Sequence, residues 1–120
     1  MSVRVLVADT DLMRRAIVFL LSDRDGITII GEASTFLETV SKTTQLRPDV
    51  VVLGLNISDR DTPTDRAINT RIVATSIRID DESKALAKSI GAVRLLDKMD
   101  LVQELIPAIL ELATVGGRPS

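Results

Sequence analysis

The chain has no cysteine and no histidine. Without cysteine, disulfides and thiolate metal sites are excluded. Without histidine, the usual general base, the commonest transition-metal ligand and any phosphohistidine chemistry are excluded too. Tryptophan and tyrosine are also missing, and Phe19 and Phe36 are the only aromatics, which leaves no platform for stacking bases or sugars. There is no basic excess either. The 15 Lys and Arg are outnumbered by 17 Asp and Glu, for a net charge of -2, so nothing electrostatic points to direct nucleic-acid binding by this domain. Long hydrophobic runs are missing as well. The run from Val3 to Ala8 is broken by Asp9, too early for a signal peptide, and nothing approaches the length of a membrane span. The expected setting is cytoplasmic, away from the membrane. No internal repeat or low-complexity segment is present.

What remains fits one ordinary globular domain. The 120 residues are 45% hydrophobic and 27% charged, enough for a real core. The organising stretch is Asp49 to Ser58, DVVVLGLNIS. Val50, Val51, Val52 and Leu53 form an apolar run without polar alternation, which reads as a strand buried on both faces at the centre of a parallel sheet. Ligands and chemistry in open α/β sheets sit just beyond the carboxyl ends of such strands. Gly54 holds that place and brings no side chain to it.

The rest of the chain alternates between strand and helix periods. Val3 to Ala8 is a first buried strand ending in the acidic turn Asp9-Thr10-Asp11. A helix follows over about Leu12 to Leu21, with Leu12, Ala16, Phe19 and Leu20 at helical spacing, Arg14 and Arg15 outward, and Asp11 placed to cap it. Gly26 suits a left-handed helix terminus. Ile27 to Ala33 alternates as an edge strand would. Ser34 is placed to cap a second helix with apolar positions Phe36, Leu37, Val40 and Leu46. After the central strand, Asn56 to Thr70 is polar, and Thr62-Pro63-Thr64-Asp65 opens a helix of about two turns, from Pro63 to Asn69. Arg71 to Ser76 is a fourth strand. Asp80 or Asp81 starts a helix carrying Ala85, Leu86, Ala87 and Ile90, closed by Gly91. Ala92 to Leu96 is a fifth strand, followed by Asp97-Lys98. A last helix runs from Asp100 to about Ala113, with Leu101, Leu105, Ile106, Ile109 and Leu112 inward and a bend expected at Pro107. The folded domain is expected over residues 1–115, with 116–120 as a flexible tail or the start of a linker.

Five short apolar strands alternating with five helices predict an α/β fold, a doubly wound five-stranded parallel sheet with flanking helices. Right-handed crossovers then bring the strand ends Asp9, Gly54, Ser76 and Lys98 to one rim.

The segments VLVADTD, PDVVVLGLNIS, IVATS and GAVRLLDK, in this order and at these spacings, resemble the receiver domain of two-component response regulators over essentially the whole chain. That resemblance implies a flavodoxin-like fold of receiver type and a place in phosphorelay signal transduction. It also implies a site of two adjacent acids holding magnesium, a phospho-accepting aspartate, a hydroxyl and a lysine. Metal and lysine would neutralise a transferring phosphoryl group, and the hydroxyl would read the product. Residue by residue, Asp9 matches the first acid, Ser76 the hydroxyl and Lys98 the lysine. Thr10 stands where the second acid belongs, and Gly54 stands where the phospho-acceptor belongs. Ile57-Ser58 replaces the usual Met-Pro, and Leu95 replaces the aromatic whose rotation often reports activation. Between Gly54 and Ser76 the chain is roughly six residues shorter than the family pattern, so the third helix is expected to be shortened.

Each of these residues also has a purely structural reading. Asp9 can cap the first helix, Lys98 can pair with Asp9 or Asp97, and Ser76 can satisfy a turn. Gly54 can be a glycine tolerated at a strand end, and the acids at 59, 61 and 65 can form a solvated face. Two functional expectations compete. In the first, this is an atypical, non-enzymatic receiver that signals through a protein partner, a second copy of itself included, as a homodimer, without phosphorylation. Its site at Asp9, Thr10, Gly54, Ser76 and Lys98 would then be degenerate, with no cofactor and with magnesium binding weak or absent at the remnant Asp9. In the second, a displaced acid such as Asp9, Asp11 or Asp59 is still phosphorylated, which a shift of even ~1 Å in the acceptor makes costly. The same module can also be the N-terminal regulatory half of a DNA-binding transcriptional regulator. A small flavodoxin-like enzyme or ligand carrier is a third possibility, disfavoured without His, Cys, Tyr or a glycine-rich phosphate loop.

Overall fold

The apolar run at the centre of the sequence is also the centre of the molecule. Strand β3, Val50–Gly54, is buried at every residue. In the computed structural model, which describes residues 2–57 and 68–117, with side chains through Ala113, it lies in a five-stranded sheet. The other strands are β1 (Val3–Ala8), β2 (Ile27–Ala33), β4 (Arg71–Ser76) and β5 (Arg94–Asp97). Their order is β2-β1-β3-β4-β5, and every described pairing is parallel. This is the expected doubly wound sheet, and its order reverses between β1 and β3, where such sheets place their sites.

Four α-helices are described: α1 (Asp11–Ser22), α2 (Phe36–Leu46), α3 (Asp81–Ser89) and α4 (Leu101–Gly117). Short 3-10 turns, Leu55–Ile57 and Lys98–Asp100, follow β3 and β5. Two apolar layers follow from strand alternation. On one side, Val5, Val7, Val52 and Val73 pack with Ile17 and Leu21 of α1 and Leu105 and Ile109 of α4. On the other, Leu6, Val51, Leu53 and Ile72 pack with Phe36 of α2 and Ala87 of α3. Each such aliphatic side chain contributes roughly 1.5–3 kcal/mol when fully buried. Among the described residues no helix is long and apolar enough to cross a membrane.

Several local expectations are corrected. Helix α1 turns a largely different face inward: Ile17 and Leu21 are buried and, of the expected residues, Leu20 packs partly against the core, whereas Leu12 and Phe19 are 79% and 83% exposed and Ala16 is exposed. Both stripes have helical spacing. Ile17 and Leu21 join the cluster of Val5 and Val7, and Arg14 of the same helix pairs with Glu32 on β2 at 2.9 Å. Asp11 does not cap this helix. Thr10 is the N-cap residue and Asp11 lies in the first turn.

In α2 the cap is Thr35, whose Oγ1 accepts the Glu38 N–H at 3.0 Å, while the Ser34 N–H donates to Glu38 Oε1 at 2.8 Å. Glu38 thus serves both bonds, its N–H on the cap hydroxyl and its carboxylate on the N–H of the residue before the cap. Leu37 is 72% exposed, and Thr39 and Thr43 are buried in its stead. Their hydroxyls donate to the carbonyls four residues back, which lets them pack without an unpaired polar group. Arg47 ends α2 in the left-handed conformation, φ 51°, and the Arg4 guanidinium donates to the last carbonyls, Leu46 O at 2.7 Å and Arg47 O at 2.5 Å.

Asp80 is the cap of α3, in a reciprocal box with Ser83, and Ala85 on that helix is exposed. Gly26 and Gly91 hold positive φ, 88° and 81°, at the turns where the sequence asked for them. Strand β5 begins at Arg94, later than expected. Helix α4 runs on through Pro107, which lies on its exposed side, and continues to Gly117. The expected end near Ala113 therefore moves outward, and Gly116 and Gly117 belong to the helix. The helix expected from Pro63 to Asn69 falls mostly outside the described residues. Ile68 and Asn69, its last two positions, are not helical.

Candidate functional site

The carboxyl ends of β1, β3 and β5 meet where the strand order reverses. Ala8 pairs in register with Leu53, so the next residue, Asp9, comes beside Gly54. Asp9 is fully buried, and its carboxylate leans over the glycine. A β-carbon at Gly54 would fall inside that carboxylate, 2.6 Å from Oδ1 and nearer still to Oδ2 and Cγ. The acid at 9 thus fills the volume that a side chain at 54 would need.

Lys98 closes the cluster from the turn after β5. Its Nζ lies 3.1 Å from Asp9 Oδ2 and 3.4 Å from Oδ1, and it donates to Asn56 Oδ1 at 3.0 Å. The Lys98 side chain is only 7% exposed. Asp9 Oδ1 also accepts the Thr10 N–H at 2.7 Å. For Oδ2 the ammonium is an ion-pair neighbour without hydrogen-bond alignment, and no hydrogen-bond donor reaches that oxygen among the described residues. The choice left open for Lys98 resolves to Asp9. Asp97 instead accepts the Met99 N–H at 2.9 Å and caps the 3-10 turn.

The remaining candidates separate. Ser76 Oγ accepts the Arg78 N–H at 3.2 Å, the turn role foreseen for it. Ser76 shares with Asn56 and Lys98 a rim cavity of about 350 Å³. Thr10 is exposed at the N-cap of α1, with its hydroxyl only 3.5 Å from Asp9 Oδ1, and does not overhang Gly54. Asp11 is exposed and paired with Arg14 at 2.9 Å. Asp59 lies outside the described residues.

Sequence reasoning missed two participants. Asn56 supplies the second acceptor for Lys98; its signal was a lone polar residue between Leu55 and Ile57. Thr75 is buried opposite Gly54 in register, and its hydroxyl has no partner among the described residues. Next to the more obvious Ser76 it gave no signal of its own.

The residues present do not suit magnesium. That ion asks for near-octahedral oxygen ligation with direct carboxylate contact. Here one carboxylate is already neutralised by an ammonium, and position 54 offers no ligand. Among the described residues no group of three or more His, Cys, Asp or Glu converges on a possible metal position. The cluster also contains no free nucleophile, since Asp9 is enclosed and ion-paired.

No family model matches the chain. It is 39% identical over 56 residues to the response regulator GacA of Pseudomonas viridiflava, a match covering 46% of this chain and 26% of that protein. It is 33% identical over 99 residues to protein-glutamate methylesterase/protein-glutamine glutaminase 1 of Methanospirillum hungatei, covering 75% of this chain and 29% of that protein. The chain thus matches well under two thirds of the length of either relative. Among solved structures, the signal receiver domain of the putative response regulator NarL from Mycobacterium tuberculosis superposes with a TM-score of 0.81 at 25% identity, covering 98% of each chain.

Proposed function

This chain is a response-regulator receiver domain of two-component signalling, and from that premise we propose that it is a degenerate one, which signals through protein contacts without accepting a phosphoryl group. The observation that carries this reading is the Asp9 carboxylate lodged over Gly54 and held there by Lys98. A competent acceptor needs a free carboxylate at the end of β3, a metal beside it and a lysine free to meet the incoming charge. In this chain the first is a glycine, the metal lacks ligands, and the lysine is engaged by Asp9 and Asn56. The same three strand ends that would perform the transfer instead tie β1, β3 and β5 together as a neutral buried pair.

Two of the three displaced acids lie among the described residues, and neither is placed as an acceptor at the end of β3. Asp9 is enclosed, and Asp11 projects at the exposed start of α1, paired with Arg14. The test is incubation with acetyl phosphate and magnesium followed by intact mass. The mass should stay unchanged, and an increase of one phosphate would overturn the reading.

A further inference from the structure

The rim cavity of about 350 Å³ that reaches Lys98 has no part in the protein-contact reading. Its walls are apolar: Met13 of α1, Leu55 after β3, Ile77 after β4 and Leu86 of α3. Ile77 is 73% exposed, an aliphatic side chain left in water on the cavity wall. Two polar side chains in the lining carry spare donors. Lys98 can only donate, so it fixes the Asn56 oxygen toward itself at 3.0 Å. The amide N–H groups of Asn56 are then left without an acceptor among the described residues. Ser76 Oγ accepts the Arg78 N–H, and its own O–H likewise has no acceptor among them.

The charges in the lining select against an anion. Lys98 is paired with Asp9, Arg78 lies 3.6 Å from Asp80, and Asp80 and Glu82 both line the cavity. An incoming carboxylate or phosphate would meet two acids and no cation without a partner. No aromatic lines the cavity to stack on a base. Its volume lies near the lower end of the roughly 300–1,000 Å³ of small-molecule sites, which combine apolar walls with a few placed polar groups. We propose that this cavity binds a small neutral organic molecule, its apolar body against Met13, Leu55, Ile77 and Leu86 and a carbonyl or hydroxyl oxygen accepting from Asn56 and Ser76. This goes beyond the protein-contact reading and gives the domain an input other than a phosphoryl group. The walls come from α1, α3 and the turns after β3 and β4, so a seated molecule ties four elements together. A ligand biases a conformation only through contacts that differ between states, and these elements supply them.

The probe is the neutral naphthyl ketone Prodan, whose emission moves to the blue in apolar surroundings. It is compared on the intact chain with the anionic naphthalene sulfonate ANS and with inorganic phosphate. Prodan should bind saturably with a Kd below about 1 mM, emit to the blue, and shift the amides of Leu55, Asn56, Ser76 and Leu86. ANS should bind more weakly, and phosphate should leave those amides in place. Ile77→Ser changes an exposed residue and no charge, and should weaken Prodan by about fivefold or more. Ser76→Ala should weaken it by about two- to tenfold, the worth of one neutral hydrogen bond. Thermal melts of both variants check that the fold is kept. Val93→Ser, at an exposed residue outside the cavity, should leave Prodan binding unchanged. Absence of saturable Prodan binding, equal or tighter binding of ANS or phosphate, or amide shifts confined to other residues would overturn the proposal. So would indifference to either cavity variant, or an equal loss in Val93→Ser. A phosphate adduct by intact mass would instead strike the protein-contact reading.

Discussion

At position 54 a side chain and the Asp9 carboxylate compete for one volume, so substitutions there report directly on the pair. Gly54→Ala is expected to cost about 1–3 kcal/mol, as overpacking of a tight site does. Asp9→Gly should absorb much of that cost in the double variant, read as non-additive melting temperatures. Gly54→Asp adds a second carboxylate that contends with Asp9 for Lys98, so it should be less stable than the parent and gain stability from millimolar magnesium. The parent should show no saturable magnesium-dependent shift at Asp9 or Thr10. A shift there by NMR would mean that the carboxylate does leave Lys98 for a metal. Lys98 has the converse role. Lys98→Met strands a buried anion and should cost about 3–5 kcal/mol, whereas pairing it with Asp9→Asn should restore much of the loss. If the double variant is no better than Lys98→Met alone, the pair does not carry the stability assigned to it.

Among the elements, α2 shows how the chain sets its boundaries with short polar devices. Thr35→Ala should cost about 1 kcal/mol through loss of the cap. Glu38 is held below its ordinary value of 4.5, first by the Ser34 N–H and then by Lys42. Asp80 at the start of α3 is lowered too, chiefly by the Ser83 N–H. A carboxyl whose folded value is lowered adds stability that is present above its unfolded value and lost as pH falls through the folded one. The chain should therefore lose stability progressively below about pH 4.5, around the unfolded carboxyl values. Glu38→Gln with Asp80→Asn should flatten that acid limb while keeping side chains able to accept the same N–H bonds. An unchanged limb would assign the acid sensitivity to other carboxyls. Helix α1 carries a different lesson. The expected positions Leu12, Ala16, Phe19 and Leu20 and the set Met13, Ile17 and Leu21 are both periodic, and only packing against the sheet separates them.

For the whole molecule, the sheet holds one core on each face, and α4 closes the face that carries the Asp9 end of the site. Leu105, fully buried against β1 and β3 residues such as Val5 and Val52, should cost about 2–5 kcal/mol when cut to alanine. Chemical denaturation would measure it. A cost near zero would mean that α4 docks by something other than this cluster.

The order of strands and helices was legible because each strand is a short apolar run and the glycines and caps punctuate it locally. Val50 to Leu53 announced a central strand, Gly26 announced a left-handed turn, and Gly91 announced a helix end. These are signals that neighbouring residues carry by themselves. Helical phase was not legible in the same way, because two stripes on α1 satisfied one period, and the threonines of α2 hid their burial behind hydroxyls that bond to their own helix. The site divided likewise. That position 54 offers no nucleophile is a property of one residue and needs no fold. That Asp9 moves into the space left by that glycine, that Lys98 chooses Asp9 over Asp97, and that Asn56 and Thr75 stand beside them depends on residues far apart in sequence. Sheet register and burial alone bring them into contact.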